Sequence, residues 1–313
     1  MNKVLTWFKN KGWEAQNFQK ECWKAYSEGK NGILHAPTGS GKTYAIWGGI
    51  IEESLKMKKH KIGIQIIWIT PLRALAVEIQ KAIQMMTNDL NPDLKIALRT
   101  GDTSQKERGN QKRKPSFGLV TTPESLHLLL STKDHQKTLK SLKIIVIDEW
   151  HELLGTKRGV QIELAIAYLN YFLPNLKVWG ISATIGNKDL ASKILLGSSK
   201  SFVTVNAEIQ KKIEVESILP KNMERFPWRG HLGIHLLSHV LEIVKKNKTT
   251  LIFTNTRAQC EIWYHHLLDG NPELAGNIAM HHGSIDKKIR LWVEDALRKE
   301  NLKVVVCTSS LDL

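Results

Sequence analysis

Cysteine is scarce in this 313-residue chain: Cys22, Cys260 and Cys307 are the three present, and none forms a C-x-x-C pair. Scattered singly, they offer neither a disulfide framework nor a zinc spacing, and they suit a reducing compartment. Long apolar runs are missing too. No stretch approaches the run of about 20 apolar residues that spans a bilayer. Residues 1–11 are short, mixed and charged, without the apolar centre of a signal peptide. These absences lead us to expect a cytoplasmic protein with no membrane partner. Acid is also in short supply: 30 Asp and Glu stand against 45 Lys and Arg, a formal net charge of +15. Such an excess favours a polyanionic partner, because each phosphate contact gains Coulomb energy and releases counterions. A basic surface serving only solubility is the plainer alternative. Repeats and low-complexity tracts are absent, and 42% apolar residues exclude a disordered tail.

What is there is alternation. Short apolar runs at 32–36, 62–70, 95–99, 117–121, 143–148 and 177–182 read as buried strands, and amphipathic stretches such as 43–58 and 72–88 read as helices. That pattern predicts α/β architecture with mostly parallel sheets covered on both faces. Around 206–230, Lys211, Lys212, Pro220, Lys221, Pro227 and Gly230 interrupt it, as expected of a connector. Alternation resumes with a helix at 231–246, a strand at 250–254, a helix at 257–268, a strand at 277–281, a helix at 287–299 and a strand at 303–308. The expected division is therefore a first domain at 1–205, a linker at 206–230 and a partial second domain at 231–313. The basic run 106–114 reads as a solvated loop.

Ala36-Pro37-Thr38-Gly39-Ser40-Gly41-Lys42-Thr43 follows a strand and opens a helix, which is the context a P-loop requires. The glycines let backbone N–H groups turn inward around phosphates, and the helix N-terminus adds partial positive charge. Lys42 can reach the β- and γ-phosphates of ATP, and Thr43 can place its hydroxyl on Mg²⁺. The second half of such a site is an acidic residue ending another strand. Ile144-Ile145-Val146-Ile147-Asp148-Glu149-Trp150-His151 supplies it: Asp148 for Mg²⁺, Glu149 to orient or deprotonate the attacking water. The paired histidines at 265–266 and 281–282, like His151, lack zincin spacing and cysteine partners, so structural or hydrogen-bonding roles are expected of them.

With both halves placed, the chain resembles superfamily 2 DExH-box helicases. Ala36 stands where the strict P-loop has Gly, as in that superfamily. Gln19, 23 residues before Lys42, matches the glutamine that reads the adenine edge, with Trp23 at the family's spacing. Thr70-Pro71-Leu72-Arg73-Ala74-Leu75-Ala76 resembles motif Ia, and Arg99-Thr100-Gly101-Asp102-Thr103 and Thr121-Thr122-Pro123-Glu124-Ser125-Leu126 resemble the next strand-gripping blocks. Ser182-Ala183-Thr184 is similar to motif III, which couples nucleotide state to domain closure. Segments 251–257 and 281–284 resemble motifs IV and IVa, and 304–313 the start of motif V. Within the superfamily the likeness is to the large-helicase-related (Lhr) group, and in particular to ligase-associated DNA DEXH-box helicases. It rests on the stretches 99–108, 121–130, 148–164 and 179–186.

The resemblance implies two RecA-like P-loop domains, the second truncated, and an ATP-dependent 3′→5′ helicase or translocase in DNA repair. It works on single-stranded or partly duplex DNA, with RNA or hybrid as alternatives and a ligase among possible partners. It also implies an ATP site of Gln19, Thr38, Gly39, Ser40, Gly41, Lys42 and Thr43, with Asp148 and Glu149, and a coupling set of His151, Ser182 and Thr184. Thr70, Arg73, Arg99, Thr103, Thr122, Ser125 and Arg257 are the expected strand contacts, gripping phosphates without reading sequence. Trp13 or Phe18 could stack on adenine. The family's motif VI arginines would follow Leu313, so this chain is expected to bind ATP–Mg²⁺ and turn it over slowly. A nucleotide-dependent clamp, or an ATPase that remodels strands without unwinding, shares every motif above.

Overall fold

Apolar side chains at every position of a short run can be buried only if both faces of the strand are covered. In the first unit β2 (Ile66–Ile69) and β5 (Ile144–Ile147) are such runs, and β1 (Asn31–His35) and β4 (Gly118–Thr121) are buried along nearly all of their length. With β3 (Ile96–Arg99), β6 (Lys177–Ser182) and β7 (Phe202–Asn206) they form one sheet in the order β3-β4-β2-β5-β6-β1-β7, parallel throughout. The computed structural model describes residues 2–57, 63–183, 187–197, 201–208, 214–219, 233–309 and 311. The chain divides into two compact units, Met1–Lys211 and Lys212–Leu313. Most of the expected connector at 206–230, and Thr184, lie outside the described residues. None of the described helices is long and apolar enough to cross a membrane.

In the first unit alternate strand residues feed two cores. Leu34, Trp68, Val146 and Trp179 face one way, against α1 (Asn2–Asn10), α2 (Asn17–Ser27), α3 (Lys42–Leu55) and α4 (Arg73–Leu90). Ile33, Ile67, Ile145 and Ile147 face the other. There they meet α6 (Pro123–Leu130), α7 (His135–Leu139), α8 (Trp150–Leu153), α9 (Lys157–Phe172) and α10 (Lys188–Leu196). The period-2 alternation of strand side chains makes both faces apolar and builds three layers. Helices α2 and α3 meet closely: a Cβ on Gly48 would lie 2.3 Å from the indole Nε1 of Trp23, which donates to the Tyr44 carbonyl at 3.0 Å.

Two features differ from the expectation. The basic run at 106–114 is largely helical: α5 spans Gln105–Arg113, with no buried residue. It lacks an apolar face because its termini hold it instead. Ser104 Oγ accepts from Glu107 N, Glu107 sits in the first turn and Lys112 and Arg113 in the last, matching the helix dipole. Strand β7 is the second difference. It pairs residue for residue with β1, from Asn31–Phe202 to His35–Asn206, at the end of the first domain, where the sequence reading named no strand.

The second unit has a three-stranded parallel sheet, β8 (Thr250–Phe253), β9 (Ile278–His281) and β10 (Val304–Cys307), in the order β8-β10-β9. Helices α11 (Leu237–Lys246), α12 (Arg257–Gly270) and α13 (Lys287–Arg298) accompany it. Val244, Cys260, Leu267, Val304 and Val306 form its main core.

Candidate functional site

In a parallel sheet every strand delivers its following loop to the same edge. The P-loop follows β1, Asp148 follows β5 and Ser182 ends β6, so the sheet order places these three on consecutive strands β5-β6-β1. The P-loop turns through Gly39 (φ 75°) and Gly41 (φ 84°), and Gly41 caps α3 in the left-handed region. A side chain there would be strained, and its Cβ would meet Gln19 Nε2 at 2.7 Å. Gln19 is itself buried. Its Nε2 donates to Gly41 O at 3.1 Å and its Oε1 accepts from Gln16 N at 2.9 Å. The expected adenine reader thus ties α2 to the P-loop, with both ends of its amide on backbone. Thr38 and Gly39 are exposed, Ser40 and Thr43 half-buried, and Lys42 is buried.

Lys42 Nζ contacts Glu149 Oε1 at 2.6 Å. The other carboxylate oxygen, Oε2, lies 3.4 Å from His151 Nδ1, which is also 3.2 Å from Ser182 Oγ. Four expected residues therefore form one continuous chain: Lys42, Glu149, His151, Ser182. Glu149 holds a positive φ of 47°, uncommon for a residue with a side chain. That turn lets its carboxylate come back towards the P-loop immediately after β5. Asp148 is 4% exposed, and its oxygens accept from Glu149 N at 2.9 Å and Trp68 Nε1 at 3.2 Å. Burial, then the Glu149 carboxylate, push its pKa up to about 6, against the opposing pull of Lys42 and the two hydrogen bonds.

The strand-gripping candidates occupy the other half of the sheet, β3-β4-β2. Thr70 follows β2, Thr103 follows β3 and Thr122 follows β4. Arg73 is exposed at the start of α4, and its Nη1 donates to Asp102 Oδ1 at 2.8 Å. The hydroxyls mostly turn inward. Thr70 is fully buried; Thr122 and Ser125 are buried with Thr122 Oγ1 donating to Ser125 Oγ at 3.3 Å; Thr103 Oγ1 accepts from Thr100 N at 2.9 Å. The backbone N–H groups of Thr70 and Thr103 are taken as well, donating to Thr121 O at 3.1 Å and Thr100 O at 3.2 Å. Arg99 does not join this line: its side chain goes to a cavity beside α5. In the second unit Arg257 Nη1 donates to Ser284 Oγ at 2.6 Å, joining the two segments that resemble motifs IV and IVa. His281 and His282 are buried and face Glu294 (3.1 Å) and Glu261 (3.5 Å), as expected of hydrogen-bonding histidines.

Sequence reasoning missed Trp68, whose indole on β2 donates to Asp148 at the end of the neighbouring β5. A buried tryptophan needs a partner for its N–H, and Trp68 in an otherwise aliphatic strand was the available signal. It missed Asp102 as the partner of Arg73, because residues 29 apart carry no local sign of pairing.

Residues 16–192 match the DEAD/DEAH box helicase family, and residues 234–313 match the helicase conserved C-terminal domain. The ATP-dependent helicase Lhr-Core of Sulfolobus acidocaldarius is 33% identical over 326 residues, covering 99% of this chain and 37% of that protein. Its namesake in Methanocaldococcus jannaschii is 31% identical over 323 residues, covering 99% and 38%. The chain thus spans less than two-fifths of the length of these curated relatives. Among solved structures, helicase Lhr of Mycobacterium smegmatis bound to ssDNA and AMP-PNP superposes with a TM-score of 0.76 at 27% identity, covering 99% of this chain and 42% of that one. A P-loop lysine on the glutamate of a DExH segment, a serine of the third motif behind it, and a family match over more than half its length make this chain a member of the DEAD/DEAH box helicases, similar to the Lhr helicases.

Proposed function

We propose that this chain forms the nucleotide-binding and strand-gripping front part of an ATP-dependent DNA helicase or translocase. The observation that carries the reading is the continuous chain Lys42–Glu149–His151–Ser182 beside the buried Asp148. Lys42 and the P-loop amides would cradle the phosphates of ATP, with Thr38, Gly39, Ser40, Gly41 and Thr43 completing the cradle. Mg²⁺ takes one or two carboxylates plus phosphate oxygens and water, so a single carboxylate, Asp148, together with the Thr43 hydroxyl is a fitting donor set. Glu149 would activate water, and His151, Ser182 and Thr184 would report nucleotide state. An adenine edge reaching Gln19 competes with Gly41 O for the same amide.

Thr70, Arg73, Thr103, Thr122, Ser125 and Arg257 are proposed to hold a strand by its backbone, which admits DNA and, unless a 2′-OH is read, RNA or hybrid. DNA is favoured because the Mycobacterium smegmatis relative is described bound to ssDNA. Movement 3′→5′, a place in DNA repair and a ligase partner rest on the family resemblance. A first domain over 1–205, a linker over 206–230 and a partial second domain over 231–313 rest on the break in the strand–helix alternation.

The test is ATP hydrolysis with and without single-stranded DNA, by this chain and by a version extended through an arginine-bearing motif VI. DNA-stimulated turnover in the extended protein, abolished by Glu149→Gln, is expected. Nucleotide-tightened DNA binding with no hydrolysis in either protein would replace the motor with a clamp.

A further inference from the structure

On the face of the sheet opposite α4, between α5 and the α6–α7 connection, lies a cavity of about 220 Å³ against the β3–β4 edge. Its polar wall carries Arg99, Arg108 and Lys112, and no carboxylate lines it. Lys112 is paired at 2.8 Å with Asp134 outside the wall. The two arginines are not neutralised. Among the described residues no hydrogen bond or ion pair reaches the Arg99 guanidinium. Arg108 spends Nη2 on Thr100 O at 3.0 Å, while its Nε is buried without a partner. Burial, and then the neighbouring Arg108, lower the pKa of Arg99. Guanidinium groups nevertheless stay charged in proteins, so two like charges face one enclosed space.

The same wall holds acceptors that lack a donor. Gln111 is fixed by Nε2 donating to Leu98 O at 2.9 Å, which leaves Oε1 buried with no partner among the described residues. Thr132 and Thr138 give their hydroxyl protons to the carbonyls of Leu129 and Asp134, so each oxygen faces outward only as an acceptor. Buried polar groups are nearly always satisfied, and each exception asks for an explanation. Here the unmet donors are cationic and the unmet acceptors are neutral. A phosphate monoester carries about −1.5 to −2 charge and suits paired guanidinium forks. A hydroxyl elsewhere on the same small molecule suits Gln111 Oε1.

We propose that this cavity is a second ligand site, for a small phosphate monoester bearing a free hydroxyl, with Arg99 and Arg108 holding the phosphate and Gln111 the hydroxyl. It is separate from the nucleotide site: β3 and β1 are five strand spacings apart in the sheet, about 24 Å. It does not depend on the ATPase reading. Its reach is the strand-gripping loop, because the guanidinium of Arg108 also holds Thr100 O, two residues before the Asp102 that pairs with Arg73. Occupancy would stiffen that loop.

The experiment records the Nε–H signals of Arg99 and Arg108 by ¹H–¹⁵N NMR in the full chain, with Lys42→Ala introduced so that the P-loop does not compete for phosphate. Inorganic phosphate and glycerol 3-phosphate are titrated at constant ionic strength against chloride. Both signals should move together and saturate, with glycerol 3-phosphate binding more tightly than phosphate. Arg99→Gln should weaken binding by at least about tenfold. Thr138→Glu, which supplies the missing counter-charge, should abolish binding and raise Tm. Linear shifts without saturation, or unchanged binding in Arg99→Gln and Thr138→Glu, would overturn the site. Equal affinity for the two probes would overturn the hydroxyl contact. Displacement of bound phosphate by a short single-stranded oligonucleotide would assign the arginines to the DNA path and overturn the small-molecule ligand.

Discussion

Asp148 is a carboxyl group kept almost dry, and its pKa, raised from 3.8 to about 6, has a consequence for stability. Between those values the folded chain binds more protons at this residue than the unfolded chain does, so its contribution to stability falls as pH rises through about 4 to 6. The total is on the order of 3 kcal/mol. Asp148→Asn removes that titration while leaving Trp68 a poorer partner at every pH. The Tm difference between variant and wild type should therefore move in the variant's favour from pH 4 to 6.5 and then level off. A difference flat across that range would show that Asp148 does not titrate there. For Glu149→Gln we expect hydrolysis in the motif-VI-extended protein to drop by about 10²–10⁴, with nucleotide affinity, measured by fluorescent-analogue titration, largely kept. At this scale the P-loop and the Asp-Glu pair were legible, because phosphate cradles constrain residue type at fixed spacing. The inward turn of Thr122 and Ser125, and the departure of Arg99 to a side cavity, were not, since side-chain direction depends on packing from distant segments.

Among elements, β1, β2, β4 and β5 could be read from apolar content alone, whereas α5 could not. Its sequence Gln105-Lys106-Glu107-Arg108-Gly109-Asn110-Gln111-Lys112-Arg113 has no apolar stripe, and periodicity finds helices only through such stripes. The helix rests on its cap and on side chains that reach back to β3 carbonyls and the loop after them, as Gln111 does to Leu98 and Arg108 to Thr100. Ser104→Ala should cost about 1 kcal/mol and appear as faster amide exchange along α5 before any other helix. Strand β7 escaped notice because Phe-Val-Thr-Val-Asn sits beside a charged connector and its partner, β1, lies some 170 residues upstream. The turn from α8 into α9 makes a sharper demand. A Cβ on Gly159 would lie 2.2 Å from the Leu153 carbonyl oxygen, and Gly159 N donates to the capping Thr156 Oγ1 at 3.1 Å. Backbone cannot swing aside as a side chain does, so Gly159→Ala should destabilise the first unit by about 1–3 kcal/mol, measured by denaturant unfolding.

For the whole molecule, each unit has its own apolar cores, with the buried clusters of Met1–Lys211 and Lys212–Leu313 built from separate sets of residues. Independent cores permit independent folding. Residues 1–211 alone should unfold in a single cooperative transition and bind nucleotide within about threefold of the full chain; an uncooperative melt would mean that the first unit needs the second. The division into two α/β halves was visible in the sequence because the strand–helix rhythm stops and restarts. The pairing of strands far apart in sequence was not, because sheet order is settled by long-range packing.

The 2.6 Å contact between Lys42 and Glu149 has a further consequence if the proposed roles hold. The lysine assigned to phosphate and the carboxylate assigned to water then occupy each other, and a triphosphate entering the P-loop would have to part them before either could act. Substrate first and reactivity second would follow from a single ion pair.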